Sequence, residues 1–333
     1  MNWVKINYSK SNISRAGKQL LEEVLAPGSL LIVDNWRASH AFPLHVITMN
    51  LRRNHPDKTI VVQRLKRLDS IVNKLKRNED MNLARMNDIA GCRVIVDSLP
   101  LLHNIIDTFK NSRIRHILAS EYDYISKPKE SGYRSIHLVY KYHSDEKIDY
   151  NGLRVEIQFR TRLQHLWATA VEVLGIYTHD NLKASIGDEA ILRFLTLASA
   201  LFSLEESTTL VPNVPSNKKD IILELRKLNN AKNITKILSA IKASLSYTDQ
   251  KELSGNGYYL LILNLETRML KFEYYAPSHF NVAIEKYNDC EKQRNNHIDV
   301  VLVNANSFEN LKKAYPNYFT DISEFISRIE ALL

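Results

Sequence analysis

Two stretches near the middle of the chain alternate residue by residue. Over residues 134–141, Arg134, Ile136, Leu138 and Tyr140 alternate with Ser135, His137, Val139 and Lys141, a period of two that predicts a strand with unlike faces. Over residues 154–160, Val155, Ile157 and Phe159 fall on one face, and Arg154, Glu156, Gln158 and Arg160 on the other, again with strand periodicity. The oily face packs. The other face lines up a carboxylate, an amide and two guanidinium groups, which a purely structural sheet does not need.

Around this pair the pattern predicts further elements. Residues 9–25 carry apolar positions at helical spacing behind a serine cap and stop at Ala26-Pro27-Gly28. A helix carrying Trp36, His40 and Phe42 runs to Arg53. In residues 60–77, Leu68, Ile71 and Leu75 form a buried helical stripe, so this basic helix exposes Arg64, Lys66, Arg67, Lys74, Lys76 and Arg77. A polar loop over residues 78–87 precedes a strand at 89–96, with Asp88 at its start and Arg93 facing away from Cys92 and Val94. A helix at 101–110 and a strand at 114–118 follow. Beyond the central pair, a helix runs from Thr161 towards Gly175, and residues 190–206 are apolar on most faces, as in a buried helix. Strands alternating with helices predict an α/β or α+β sheet instead of a helical bundle, and of the two the expectation is α+β, a mixed β-sheet flanked by helices.

The prolines of LVPNVP at 210–215 predict a boundary. Residues 1–210 then form one domain and residues 216–333 a smaller α+β domain. The second has helices over 218–245, a break at 254–257, a hairpin of 258–265 with 269–275, a helix at 281–293, a strand at 300–303, and helical patterns at 308–314 and 322–333.

Composition narrows the setting. A chain of 333 residues holds two ordinary domains. Its net charge of +8 and pI of about 9.2 favour polyanionic partners. Cys92 and Cys290 are the only cysteines and lie far apart, which predicts a reduced compartment and no disulfide framework. No apolar run approaches the roughly 18 residues of a membrane span, and the start lacks a signal peptide's apolar core. The expectation is a cytoplasmic protein with no membrane partner.

Four ordered segments carry a resemblance: RLKRLDSIVNKL at 64–75, DIAGCRVI at 88–95, DYISKPKESGYRSIH at 123–137 and EIQFRT at 156–161. Together they resemble the synthetase domain of the RelA/SpoT family, and WRASHAFPL at 36–44 is similar to its single-chain members. The resemblance implies a nucleotidyltransferase-like fold that moves pyrophosphate from ATP to a ribose 3′-hydroxyl. It places Arg64, Lys66, Ser70, Lys74 and Arg93 at ATP, where several cations meet a triphosphate. Asp88 and Glu156 become the catalytic acids and the ligands of Mg²⁺, with Glu156 also taking the hydroxyl proton. Lys127, Lys129, Tyr133, Arg134, His137, Gln158 and His165 fall to the acceptor, with Tyr133 stacking on its base. Tyr122 departs from the pattern, standing where many alarmone synthetases carry a lysine. The His179-Asp180 pair lacks the partners of the family's hydrolase, so no hydrolase is expected.

Near the end, Tyr315 and Tyr318 match the Tyr-x-x-Tyr motif of CapRel-type fused toxin–antitoxin proteins. In those, a C-terminal domain plugs the adenine site of a toxic synthetase until a phage structural protein releases it. Either these tyrosines are core anchors or they form such a plug. Two activities stay open. One is a pyrophosphokinase acting on the tRNA 3′ CCA end, a translation-inhibiting toxin in phage defence, favoured by the net charge, the Arg52, Arg53 and Lys58 region and Tyr122. The other is a (p)ppGpp synthetase taking GTP or GDP. A third possibility, a non-enzymatic RNA-binding protein, sits poorly with an intact set of acids and cations.

Overall fold

The structure, a computed structural model, describes residues 3–22, 28–54, 59–178, 182, 185–244, 246–247, 255–293, 298–319 and 322–333. Ala26-Pro27, Lys58, His179-Asp180 and Ser254 lie outside the described residues. Helices α1 (Lys10–Gln19), α2 (Ser29–Ser39) and α3 (Ala41–Asn54) lead to strand β1 (Ile60–Leu65) and helix α4 (Leu68–Arg77). Then come β2 (Ala90–Val96), α5 (Leu99–Asn111), β3 (Ile117–Asp123), β4 (Ile136–Lys141), β5 (Arg154–Thr161), α6 (Arg162–Thr178) and α7 (Glu189–Glu205). The chain continues with α8 (Lys218–Lys232), α9 (Ile234–Ser244), β6 (Ser246–Tyr247), β7 (Gly257–Asn264), β8 (Met269–Tyr275), α10 (Phe280–Gln293), β9 (Ile298–Ala305), α11 (Phe308–Ala314) and α12 (Ser323–Glu330).

All nine strands among the described residues form one mixed sheet in the order β3-β4-β5-β2-β1-β9-β7-β8-β6. This is the mixed sheet flanked by helices that the pattern predicts. The pairs β2–β5 and β6–β8 are parallel and the rest antiparallel. The regions on either side of residues 210–215 share this sheet, because β1 pairs with β9 through Gln63–Asn304 and Arg64–Val303. Beneath that seam, buried Arg52 donates to the carbonyl of Val61 and to Asn304 Oδ1, at 2.9 Å each.

One face of the sheet rests on α3, α5 and α10 through Val61, Cys92, Ile157, Leu138, Leu260 and Leu302. On the opposite face, Val301, Val303, Tyr259, Leu261 and Phe272 lie under α11 and residues 315–319. Helices α6, α7, α8, α9 and α12 build a separate helical core around Phe194, Phe202, Leu225, Leu238 and Phe325. Helices α1, α2 and α4 form another around Ile13, Trp36, Ile71 and Leu83.

Several expectations are corrected. Residues 60–65 are strand, and the basic helix begins only at Leu68. The β-branched run Ile60-Val61-Val62 and the alternation of Val62 and Arg64 against Val61, Gln63 and Leu65 favour pairing with β2. The helix expected to run unbroken to Arg53 is two helices that meet at His40. The strand placed at 114–118 begins at Ile117 and reaches Asp123, and the first alternating strand begins at Ile136, two residues after Arg134. Arg52, read as part of a basic surface, is a buried tie at the seam.

Candidate active site

The sheet registers assemble a charged patch. Arg64 on β1 lies beside Gly91 on β2, which lies beside Glu156 on β5. One step along on the same face, Arg93 lies beside Gln158, and Gln158 beside His137 on β4. A Cβ at Gly91 would meet only the Arg64 carbonyl, at 3.7 Å, so the missing side chain leaves open space between Arg64 and Glu156.

Asp88 sits just before β2. Its Oδ2 accepts from Lys66 Nζ at 2.8 Å and its Oδ1 from Lys74 Nζ at 2.9 Å. Burial alone would raise the Asp88 carboxyl, but the two ammonium groups outweigh it and hold it at about 2. Glu156 accepts from His137 Nδ1 at 3.2 Å and from Gln158 Nε2 at 2.7 Å. Burial raises its pKa too, as does the like charge of Asp88, yet His137 and Gln158 bring it below the ordinary value. His137 also meets the Tyr133 hydroxyl at 2.7 Å. Burial would raise the Tyr133 phenol, but Arg160 and His137 lower it to about 7.

Arg64, Lys66, Asp88, Gly91, Arg93, Glu156, Gln158 and Tyr315 line one cavity of about 30 Å³. That holds water or a bare ion; small-molecule sites run to several hundred Å³. Tyr315 is one wall of it, 5 % exposed, with the Arg93 guanidinium 5.2 Å from its ring centre. Arg93 Nη1 donates to the carbonyl of Ala314 at 2.8 Å, and His165 Nε2 donates to that of Lys313 at 2.9 Å. Arg67 donates to Asp299 and to the Tyr318 hydroxyl, which in turn donates to Asp299 Oδ2 at 2.9 Å. The C-terminal segment is thus held by Arg93 and His165, both expected to hold nucleotide, and by Arg67.

The structure brings together the expected ATP side: Arg64, Lys66, Lys74, Arg93, Asp88 and Glu156. Ser70 is half-buried on α4. On the acceptor side, exposed Lys129 places its ammonium 4.5 Å from the Tyr124 ring centre and 5.6 Å from that of Tyr133, while Lys127 is exposed. Gly132 has φ +90°, and a Cβ there would meet Ser199 Cβ at 3.0 Å and Trp167 Cζ2 at 3.1 Å, so the turn that presents Tyr133 needs glycine. Arg134, expected at the acceptor, is 2 % exposed and committed to Glu206 at 2.5 Å and Ser199 at 3.2 Å. It ties the loop to α7, because a buried guanidinium needs its own carboxylate.

Hard oxygens from Asp88 and Glu156 at one cavity fit a Mg²⁺ that takes its other ligands from phosphate and water. Among the described residues no group of three or more His, Cys, Asp or Glu could hold a metal by itself. No described helix is long and apolar enough to cross a membrane.

Residues 63–181 match the family described as the region found in RelA/SpoT proteins. The chain is 30% identical over 158 residues to the GTP pyrophosphokinase YjbM of Bacillus subtilis, covering 46% of this chain and 71% of that protein. The chain belongs to the RelA/SpoT family. It is also 29% identical over 148 residues to the GTP pyrophosphokinase YwaC of the same organism, covering 42% of this chain and 69% of that one. A crystal structure of the small alarmone synthetase 1 from Bacillus subtilis bound to pppGpp aligns with a TM-score of 0.44 and 25% identity, over 53% of this chain and 93% of that one.

In this RelA/SpoT chain, sequence reasoning gave no specific role to three residues at the patch. Arg160 donates to the Tyr133 hydroxyl at 2.9 Å and to Gln158 at 3.3 Å, and its place two residues beyond Gln158 on the same strand face was the available signal. Tyr124 lies edge-on to Tyr133 and His137 at 5.8 and 5.4 Å between centroids. Arg67, read only as basic surface, is the tie to Asp299 and Tyr318. Its partners lie more than 230 residues away, and no local pattern reveals them.

Proposed function

We propose that this chain is an ATP-dependent pyrophosphokinase held off by its own C-terminal region, acting on the 3′ CCA end of tRNA. The observation that carries the reading is the single cavity where Asp88, Glu156, Arg64 and Lys66 meet, with Tyr315 as a wall. The acceptor 3′-oxygen attacks the β-phosphorus of ATP, the Pα–O–Pβ bridge breaks, AMP leaves with the bridging oxygen, and the hydroxyl proton passes to Glu156. A Mg²⁺ held by Asp88 and Glu156 would neutralise charge on the phosphoryl oxygens. Arg64, Lys66 and Lys74 face the triphosphate once Asp88 is engaged elsewhere, and His137 and Gln158 orient the Glu156 carboxylate. Buried Arg93 Nε, Arg160 Nε and His165 Nδ1 have no partner among the described residues, as expected of groups awaiting a ligand.

A cavity of about 30 Å³ admits no nucleotide while Tyr315 stays. Release of residues 314–319 by a partner, a phage structural protein in CapRel-type proteins, then switches the enzyme on. The net charge of +8 supports a nucleic-acid acceptor, as does the exposed Tyr122 ring stacked on Tyr124 at 6.0 Å. The second reading, a (p)ppGpp synthetase using GTP or GDP, is favoured by the activity named for the two Bacillus relatives. Incubating the Tyr315→Ala chain with labelled ATP and either deacylated tRNA or GDP separates them. Label on tRNA supports the first reading, label on GDP the second, and label on neither sinks both.

A further inference from the structure

We propose that Glu291, on α10, is a positioning residue for the ATP side of the site, so that the C-terminal region builds the site it also closes. This rests on the reading of that site as an ATP site. The turn between β1 and α4 carries Lys66 and Arg67, Leu68 opens the helix, and each of the three is fixed by a group that depends on the far end of the chain. The Lys66 carbonyl accepts from Arg37 Nε at 3.0 Å. Arg37 is 1 % exposed, and its other nitrogens go to Glu291 Oε2 and the Tyr287 hydroxyl, at 2.7 Å each. Arg67 is tied to Asp299 and Tyr318. The Leu68 amide donates to Glu291 Oε1 at 2.9 Å, and the Tyr287 hydroxyl donates to the same oxygen at 2.9 Å.

Helix α4 needs this help. The residue preceding it, Arg67, has extended backbone and makes no side-chain cap, so the first amide of the helix would lack an acceptor. Glu291 supplies one from another element and places negative charge at the helix N-terminus. The same carboxylate orients Arg37, which holds the backbone of Lys66. Lys66 and Lys74, the two cations that meet Asp88, flank the clamped turn, one on it and one on the helix it starts. A plug alone could be cut away without harm to the site. A clamp could not: Tyr315→Ala opens the site, whereas loosening Glu291 or Tyr287 displaces its cations.

The test uses the full chain, with Glu291→Gln and Tyr287→Phe each made in the original and the Tyr315→Ala backgrounds. Steady-state kinetics give KM for ATP, KM for the acceptor and kcat, and hydrogen exchange follows the amides of residues 66–71. The expected result is an ATP KM raised about ten-fold by Glu291→Gln and about three-fold by Tyr287→Phe. The acceptor KM stays within two-fold, and exchange at 66–71 quickens while β3 and β4 are unchanged. A purely structural role would not split the two KM values. Folded variants whose ATP KM equals the parent's overturn the proposal, whatever the exchange. If Glu291→Gln does not fold, Tyr287→Phe decides, since it keeps the ring and loses only the hydroxyl. If the parent transfers pyrophosphate to no acceptor, the functional reading falls and exchange alone judges the clamp: faster exchange at 66–71 supports it and unchanged exchange ends it.

Discussion

One face of the sheet is made two ways. On β9, β7 and β8 it presents Val301, Val303, Tyr259, Leu261, Leu263, Leu270 and Phe272, buried under Leu311, Ala314, Tyr318 and Phe319. On the adjoining β1, β2, β5 and β4 the same face presents Arg64, Gly91, Arg93, Glu156, Gln158 and His137. Both halves follow the same two-residue alternation, so the backbone does not distinguish them. In the first half apolar burial supplies the stability. In the second, partly desolvated charges must satisfy one another, which stabilises a fold little compared with apolar packing of the same volume. A charged patch kept beside a well-packed one is what marks this half as the candidate site for the proposed chemistry.

The sharpest way to break this contrast is to neutralise the acids. Glu156→Gln and Asp88→Asn should each lower pyrophosphate transfer roughly a thousand-fold, measured with labelled ATP on variants that circular dichroism shows to be folded; unaltered transfer in both variants would remove the chemistry from this half. Filling the gap comes next. A Cβ fits at Gly91, but the branches of Gly91→Val enter the cavity, so transfer should fall about a hundred-fold with the circular dichroism unchanged. A stable variant of full activity would show that the gap is idle. Removing the wall works in the other direction. Tyr315→Ala with Tyr318→Ala should raise ATP turnover about ten-fold and arrest growth on expression, although truncating two buried rings costs stability; normal growth and unchanged turnover would make the tyrosines mere anchors.

How much of this was legible in the sequence follows from the same contrast. The strand carrying Glu156 could be read because charged and apolar residues alternate from Arg154 to Arg160, and the strand carrying His137 because Ile136, Leu138 and Tyr140 keep the period although Val139 interrupts the polar face. Strand β1 could not, because Arg64, Lys66 and Lys74 overlay a true helical stripe that starts at Leu68, and the basic residues hide where one period gives way to the other. Arg134 was misplaced because it adjoins Tyr133, whereas its partner Glu206 caps the C-terminus of α7. The clamp of Arg37 and Glu291 spans the chain, and ion pairs at that separation leave no periodic trace.

Smaller effects sharpen the comparison. Asp88 is held at about 2 in the folded chain against an ordinary 3.8. A depressed carboxyl contributes stability that is present above its unfolded pKa and lost as pH falls through the folded value. Urea denaturation should therefore show the parent losing about 2 kcal/mol relative to Asp88→Asn between pH 4 and pH 2. An equal loss in both would mean that the lysine pairing contributes nothing. At the exposed edge, Arg162→Ala removes a 2.6 Å ion pair to Glu324, and the melting curve should register less than about 0.5 kcal/mol. A larger loss would mean that α12 depends on charge instead of its apolar face.

The seam between Gln63–Asn304 and Arg64–Val303 has a consequence for synthesis. As the nascent chain leaves the ribosome, the strand bearing Arg64 emerges early and waits with one edge bare until the strand ending at Ala305 appears. Such distant pairing is slow to form. The sheet that carries the proposed site is therefore complete only when the segment bearing Tyr315, its proposed restraint, has almost been translated too.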